Sequence, residues 1–120
     1  MNDKQTYIYT LTDFSDPDQI AVPLVLANAA LAMGKKAMLW TTLEGVNLAK
    51  KGSVDEIVSP SFSSVSEIFE EFKQAGGQIG VCPACAKTHG VTEENLVENG
   101  VWMGAAAITE ATQNSNSMSF

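Results

Sequence analysis

The two cysteines of the chain, Cys82 and Cys85, are separated by two residues and follow a short apolar segment. Two thiols at this spacing can carry a sulfur atom, close a disulfide or contribute to a metal site. Pro83 between them suits the first position of a helix, and Gly90 suits the residue just beyond a helix end. The segment therefore predicts a strand that passes directly into a short helix, with Cys82 at the N-cap.

The N-cap position predicts that Cys82 is the more reactive thiol. The unpaired backbone N–H groups of a first helical turn and the helix dipole both stabilise an anion placed there. A thiol with a pKa of about 8.5 is only ~3% ionised at pH 7, whereas a pKa of about 6.5 makes the thiolate the major form. Lys87 and His89, later in the same helix, are candidate sources of positive charge. We therefore predict Cys82 as the nucleophile and Cys85 as its partner.

Four interpretations of the cysteine pair remain open from the residues alone. Cys82 accepts sulfur as a persulfide, or the two thiols act as a dithiol redox pair. Alternatively, Cys82, Cys85 and His89 contribute to a metal site. A closed zinc site needs four ligands and His89 is the single histidine, so Glu93, Glu94 or a neighbouring subunit would have to complete it. In the fourth interpretation both cysteines are small packing residues at a strand end.

Several residues at or after other predicted strand ends are candidates to support the site. The carboxyl ends of parallel strands meet at one edge of a sheet, so side chains there can wall a pocket beside Cys82. Such residues are also common in hydrophobic cores, which is the alternative. The glycines form no phosphate-binding motif, so we expect no nucleotide and no other cofactor. The candidates are Trp40, Thr41, Glu44, Trp102 and Met103.

The elements that must position these residues alternate between strands and helices. Such alternation with short, glycine-marked turns indicates an α/β fold with a mainly parallel sheet and helices on both faces. A capping box of Ser64 and Glu67 begins the clearest helix, which ends before Gly76. Strands are predicted at 4–11, 36–42 and 78–81, with 101–103 leading back into the core, and helices at 20–33, 43–51, 64–75, 83–89, 92–98 and 105–112.

Three segments are less regular. Pro23 lies six residues after Pro17, so the first helix either begins near Val22 or is kinked at Pro23. Residues 54–58 are assigned a brief extended piece. The tail at 117–120 alternates like a final strand but has the composition of a frayed end, and both interpretations stay open.

The composition is that of one acidic domain. With 120 residues the chain is expected to form a single domain over 1–120, because two would each be too small to bury a core. Seven Lys and Arg against fourteen Asp and Glu give a net charge of −7, which argues against nucleic acid and anionic membranes as partners. The start lacks the features of a signal peptide and no apolar run reaches the ~18 residues of a membrane span. We therefore expect a soluble, cytoplasmic protein.

The segment 81–91, V-C-P-A-C-A-K-T-H-G-V, is similar to the cysteine segment of the DsrE/DsrF-like sulfur-relay proteins through its V-C-x-A-x-A-x-x-x-G-V pattern. Residues 16–17 leading into 26–34 resemble the first helix of that family, and residues 41–46 resemble the turn after its second strand. Residues 104–120 resemble the helix and short strand that end the family's fold, which favours a strand at 118–120. The likeness covers nearly the whole chain.

This resemblance implies a three-layer α/β sandwich with a five-stranded, mostly parallel sheet and helices on both faces. It also implies a homo-oligomer, from dimer to hexamer, and sulfur donor and acceptor proteins as partners. Cys82 takes the position of the sulfur-accepting cysteine, so the predicted function is a sulfur carrier with a persulfide on Cys82. Cys85 departs from the relay subunits, so a dithiol redox protein and a non-catalytic oligomeric binding protein remain alternatives. Whether the protein turns over as a sulfurtransferase is left open.

Overall fold

Five parallel strands form the central sheet of the computed structural model, which describes residues 5–120. The strand order is β6-β5-β2-β1-β7, and every neighbouring pair is parallel, which confirms the predicted α/β fold. Lys4 of the predicted first strand lies outside the described residues. In chain order the elements are β1 (Thr6–Leu11), α1 (Pro17–Ala32), β2 (Lys36–Thr41), a 3₁₀ helix (Leu43–Ala49), β3 (Val58–Ser59), β4 (Ser63–Ser64), α2 (Val65–Gln74), β5 (Gln78–Val81), α3 (Pro83–His89), β6 (Gly100–Trp102), α4 (Ala105–Thr112) and β7 (Asn116–Ser119).

The two faces of this sheet are covered unequally. Alternate side chains of the central strands, such as Leu11, Leu39 and Ile79, join α1, α2 and α3 in one hydrophobic core. Ile8 points to the opposite face, where it is buried outside that core. Helix α4 lies on this second face, beside Thr6, and has no buried residue. Helices therefore lie on both faces of the sheet, as predicted. The layer on the second face is thin because it is formed by the short helix α4.

Helix α1 begins at Pro17 and continues through Pro23, so the predicted start near Val22 is wrong. Asp16 is the N-cap, and its carboxylate accepts the Asp18 backbone N–H at 3.0 Å. Pro23 removes one hydrogen bond from the helix interior, but it is itself buried among the core residues of α1. Packing of this helix against the sheet therefore outweighs the local cost of the proline.

Three other segments differ from their predictions. The predicted helix at 43–51 is a 3₁₀ helix over Leu43–Ala49, and residues 54–56 form turns rather than a strand. The predicted helix at 92–98 is a single turn in which Thr92 and Asn95 exchange backbone-to-side-chain hydrogen bonds of 2.7 and 3.3 Å. Leu96 forms a bridge to Lys50 directly after that turn, and this tertiary pairing replaces the next helical turn. The tail, in contrast, forms strand β7.

Asp18 joins the first turn of α1 to the end of β3 and to the loop that follows it. Its carboxylate accepts hydrogen bonds from the Ser59 hydroxyl, from the Ser61 hydroxyl at 2.7 Å and from the Ser61 N–H at 3.1 Å. These bonds hold the pKa of Asp18 below its ordinary value of 3.8, with the Ser59 bond as the largest cause.

We expect Asp18→Asn to lower the free energy of unfolding at neutral pH, because the charged acceptor of these bonds is lost. A carboxyl whose pKa is depressed by folding stabilises the protein above its unfolded pKa, and this contribution disappears as the pH falls through the folded pKa. Urea denaturation at a series of acidic pH values should therefore show a shallower loss of stability in the variant. Asp16→Asn, which keeps a capping side chain, is the control. Parallel pH profiles for Asp18→Asn and the unaltered protein would contradict the assignment.

Candidate functional site

The cysteine pair lies at the carboxyl edge of the sheet, where β2 and β5 end side by side. Cys82 is the N-cap of α3, as predicted, and its backbone N–H donates to the Thr41 carbonyl at 3.0 Å. Helix α3 ends at Gly90, whose φ of 76° is the left-handed conformation that glycine adopts readily. Cys85 lies in the first turn of α3. Both thiols are free and half-buried, so each combines protein contacts with access from solvent.

The sulfur of Cys85 contacts polar groups outside its own helix. The Thr42 hydroxyl lies 3.4 Å from Cys85 Sγ, and either group can be the donor. The Leu43 backbone N–H and the Cys82 thiol are its other polar neighbours. Together they lower the pKa of the Cys85 thiol, with the Thr42 hydroxyl as the largest cause and burial as the opposing one. The thiolate form of Cys85 is therefore stabilised by groups outside its own helix as well as by its partner cysteine.

The sulfur of Cys82 has a different environment from the predicted one. Within the described part of the chain it accepts no capping hydrogen bond from the first turn of α3. The first residue of that turn is Pro83, which has no N–H to donate. The expected hydrogen bond from a first-turn amide to Cys82 is thus not formed, and the Thr42 hydroxyl lies beside Cys85 instead.

A sharp bend at residues 41–45, named the corner, presents Thr42 and Leu43 to the thiols. The Thr42 N–H donates to the Leu11 carbonyl at 3.1 Å, and the Gly45 N–H donates to the Thr42 carbonyl at 2.9 Å. Leu43 has a φ of 52°, a left-handed conformation that is unfavourable for leucine. Its side chain is 57% exposed, so burial of that side chain does not compensate the strain. The corner is fixed mainly through its backbone, against the end of β1.

Trp40 and Met103 were both predicted to support the site. They lie together on the face of the sheet that α4 covers. The Trp40 indole N–H donates to the Met103 carbonyl at 2.9 Å. A Cβ atom on Gly80 would come within 3.0 Å of the Trp40 ring and 3.2 Å of the Met103 side chain, so both cover this glycine. Trp102 pairs in register with Val81 and packs against the main core, on the other face of the sheet. The structure therefore separates the two tryptophans instead of joining them in one wall.

The remaining candidates occupy three different places. Thr41 is completely buried, and its hydroxyl donates to the Gly80 carbonyl at 2.8 Å, which ties β2 to β5 beneath the thiols. Glu44 is exposed on the 3₁₀ helix that follows the corner. Lys87 and His89 lie in the last turn of α3. A helical rise of about 1.5 Å per residue places His89 roughly 10 Å along the axis from Cys82. Within residues 5–120, neither basic side chain forms a hydrogen bond to a thiol.

Among the described residues, no three His, Cys, Asp or Glu side chains are grouped so that they could hold a metal ion. The same part of the chain has no helix of the length and apolarity needed to cross a membrane.

Sequence reasoning missed Thr42, Leu43 and Gly45. It selected Thr41, the last residue of β2, whereas the hydroxyl of the next threonine is the one beside a thiol. Adjacent side chains of an extended chain point to opposite sides, so the Thr41-Thr42 pair indicated that one of the two hydroxyls faces the thiols. Which of the two does so depends on where β2 ends. The left-handed conformation of Leu43 could not be recognised from its residue type, because leucine rarely adopts it.

A family model described as DsrE/DsrF-like family matches residues 6–120 of the chain. The uncharacterised protein MJ0760 of Methanocaldococcus jannaschii is 27% identical over 101 residues, which cover 84% of this chain and 37% of that protein. The uncharacterised protein MK0008 of Methanopyrus kandleri is 32% identical over 76 residues, which cover 62% of this chain and 59% of that protein. The chain thus spans less than two thirds of the length of these curated relatives.

Solved structures with the same fold include two proteins of low sequence identity. The ychN protein from E. coli superposes with a TM-score of 0.71 at 10% identity, covering 98% of this chain and 99% of that one. The protein of unknown function MTH1491 from Methanobacterium thermoautotrophicum has a TM-score of 0.65 at 17% identity, covering 98% of this chain and all of that one, 100%. These matches establish the fold over nearly the whole chain.

Proposed function

The chain belongs to the DsrE/DsrF-like family, and on that basis we propose that it carries sulfane sulfur as a persulfide on Cys82 and passes it to a partner protein. The observation that supports this proposal most is the contact between two free, partly accessible thiols at the carboxyl edge of a parallel sheet. Functional groups collect at this edge in open α/β folds. A pair placed only for packing would need neither access from solvent nor a hydroxyl 3.4 Å from one sulfur.

Sulfur transfer at this site needs only thiol chemistry. The Cys82 thiolate attacks the outer sulfur of a donor persulfide, a new S–S bond forms, and the donor leaves as a thiol after its own S–S bond breaks. Transfer to the acceptor repeats the reaction, with the acceptor thiolate attacking the outer sulfur held on Cys82. No net oxidation or reduction occurs in either step, so the relay requires no cofactor.

Partners belong to the same proposal. They are sulfur donor and acceptor proteins and further copies of this chain. The thin layer formed by α4 supports self-association, because Met38, Trp40 and Met103 stay partly exposed on that face of the sheet. Covering such half-exposed apolar side chains is a common reason for association.

A dithiol redox function is the second candidate. Cys82 and Cys85 lie three residues apart at the start of α3, so their thiols are neighbours in the reduced protein. A pair in such contact can be oxidised to a disulfide and reduced again by an external dithiol. This alternative predicts reversible loss of two hydrogens without any gain of sulfur.

The deciding experiment is the intact mass of the reduced protein after incubation with glutathione persulfide. We expect the gain of one sulfur atom, about 32 mass units, on wild type when the product is trapped promptly, and on Cys85→Ser, but not on Cys82→Ser. The two single variants are matched controls, because each removes one of two neighbouring thiols. A gain of sulfur that persists in Cys82→Ser would overturn the assignment to Cys82. Oxidation to a disulfide with no sulfur gained by any of the three proteins would favour the redox candidate.

A further inference from the structure

Resting on the proposed function, we propose that Cys85 is the resolving thiolate of the pair, and that Thr42 and Leu43 of the corner position it to attack a persulfide on Cys82. The product of this attack is free sulfide together with a disulfide between the two cysteines. The chain thereby gains an activity beyond relay, namely reductive release of sulfide from a bound sulfane sulfur.

The first support is the geometry around Cys85. The Thr42 hydroxyl lies 3.4 Å from its sulfur, and the Leu43 N–H donates to the same atom. Both donors come from the corner, which is anchored at 3.1 Å to the Leu11 carbonyl of β1. Donors fixed by a neighbouring strand stabilise an anion without reorganising, as in other preorganised anion sites.

The second support is the spacing of the two thiols. Cys82 is the N-cap of α3 and Cys85 lies three residues later in the first turn, so the two side chains are neighbours on one side of the helix. The Thr42 hydroxyl, 3.4 Å from Cys85 Sγ, is the largest cause of the lowered pKa of Cys85. Once sulfur is loaded, the inner sulfur of the persulfide is Cys82 Sγ itself. The thiolate is therefore already beside the atom that it must attack.

The third support is the conformation of Leu43. Its φ of 52° costs free energy that its mostly exposed side chain does not recover. Strained residues of this kind are retained where the surrounding structure needs the backbone direction. Here that backbone direction places the Leu43 N–H beside Cys85. The strained conformation therefore helps to stabilise the Cys85 thiolate.

The proposed step balances without an outside oxidant. Cys85 Sγ⁻ attacks Cys82 Sγ, and the bond between Cys82 Sγ and the outer sulfur breaks. The outer sulfur leaves as HS⁻ with the bonding electron pair, and the cysteines become a disulfide. The sulfane sulfur is reduced by two electrons that the dithiol supplies. A low-molecular-weight thiol then reduces the disulfide and restores the starting pair.

The test is a single-turnover reaction of the reduced protein with stoichiometric glutathione persulfide, without air or added thiol. Free sulfide is quantified by alkylation with monobromobimane, and the protein is analysed by intact mass and peptide mapping. We expect wild type to release one sulfide per chain and to form the Cys82–Cys85 disulfide. Cys85→Ser should keep the sulfur on Cys82 and release no sulfide. Loading that is not followed by sulfide release in wild type would overturn this inference alone, whereas absence of loading would overturn it together with the proposed function.

The role of the corner is tested with Thr42→Val against Thr42→Ser. Removing one hydrogen bond to a partly exposed thiolate should slow sulfide release roughly three- to tenfold, while the final amount of sulfur loaded on Cys82 stays the same. Thr42→Ser keeps the hydroxyl and should release sulfide at nearly the wild-type rate. Thr88→Val, which removes a hydroxyl bonded to Ala84 on the same helix, is the control for general effects on α3. Equal rates in Thr42→Val and wild type would overturn the positioning role.

A measurement on wild type alone keeps the inference testable if a variant folds poorly. After loading with stoichiometric glutathione persulfide, sulfide and the Cys82–Cys85 disulfide should form in equal amounts and at the same rate, because one attack produces both. Peptide mapping identifies the disulfide. Release of sulfide without this disulfide would overturn Cys85 as the resolving thiol.

Discussion

Replacing Gly45 by alanine is expected to destabilise the protein by about 3 kcal/mol or more and to disturb the thiol pair as well. A Cβ atom at this position would lie 2.1 Å from the Leu11 carbonyl oxygen and 2.7 Å from its carbon. Both atoms belong to the backbone of β1, so no side chain can move aside to relieve the clash. The corner must therefore shift away from β1, and Thr42 and Leu43 must shift with it. Urea denaturation measures the lost stability, and the alkylation rate of Cys85 in the folded variant measures the displacement.

Gly104→Ala is the matched control for this prediction. A Cβ atom on Gly104 would meet only the Pro83 ring, at 3.9 Å, which is an ordinary contact next to the same site. Its φ of −77° is accessible to alanine, so we expect a change below about 1 kcal/mol. If Gly45→Ala were as stable as Gly104→Ala, the close approach of the corner to β1 would be refuted.

Phe72→Ala is expected to lower the free energy of unfolding by about 3 to 5 kcal/mol, a large fraction of the total stability of a small domain. Phe72 is completely buried on α2. Its ring covers the backbone of Gly77, where a Cβ atom would approach it to 2.3 Å. Removing the ring therefore leaves a cavity between α2 and the start of β5. The midpoint of urea denaturation should fall accordingly.

Phe69→Ala, three residues earlier on the same helix, is the comparison for Phe72→Ala. Phe69 is only half-buried and lines an open cavity of about 500 Å³ that is exposed to solvent. We expect its truncation to cost about half as much, because less apolar surface returns to water. Neither variant should alter the alkylation rate of the folded protein, since α2 contributes no group to the thiol pair. Equal losses from both truncations would contradict the burial that distinguishes them.

Much of the fold follows from sequence patterns that are local. The Ser64 capping box, the glycines after α1 and α2 and the apolar run of β2 each produce the element that they predict. The errors arise where tertiary contacts decide. Burial of Pro23 keeps it within α1, and the pairing of Leu96 with Lys50 ends the turn at Thr92 before a helix can form. Neither partner is recognisable from the surrounding sequence alone.

The candidate site was predictable in position but not in detail. The spacing of the two cysteines with Pro83 and Gly90 correctly placed Cys82 at a strand-to-helix junction. The electrostatic details depend on the corner, whose Thr42 is 43 residues before Cys85 and lies beside α3 only because β2 and β5 are neighbours. The sequence therefore predicted support for Cys82, whereas the Thr42 hydroxyl lies beside Cys85.

The pairing of β7 with β1 also affects how the chain reaches its native state. The Thr12 hydroxyl and N–H both donate to the Phe120 carbonyl, joining residues 108 positions apart in sequence. The entropy of closing so long a loop must be overcome before β7 gains any contact, whereas β1, α1 and β2 assemble from near neighbours. We therefore expect β7 to be the last strand to join the sheet. Because the corner and the cysteines depend on β1, β2 and β5, the thiol pair can be arranged early in folding, before the sheet is complete.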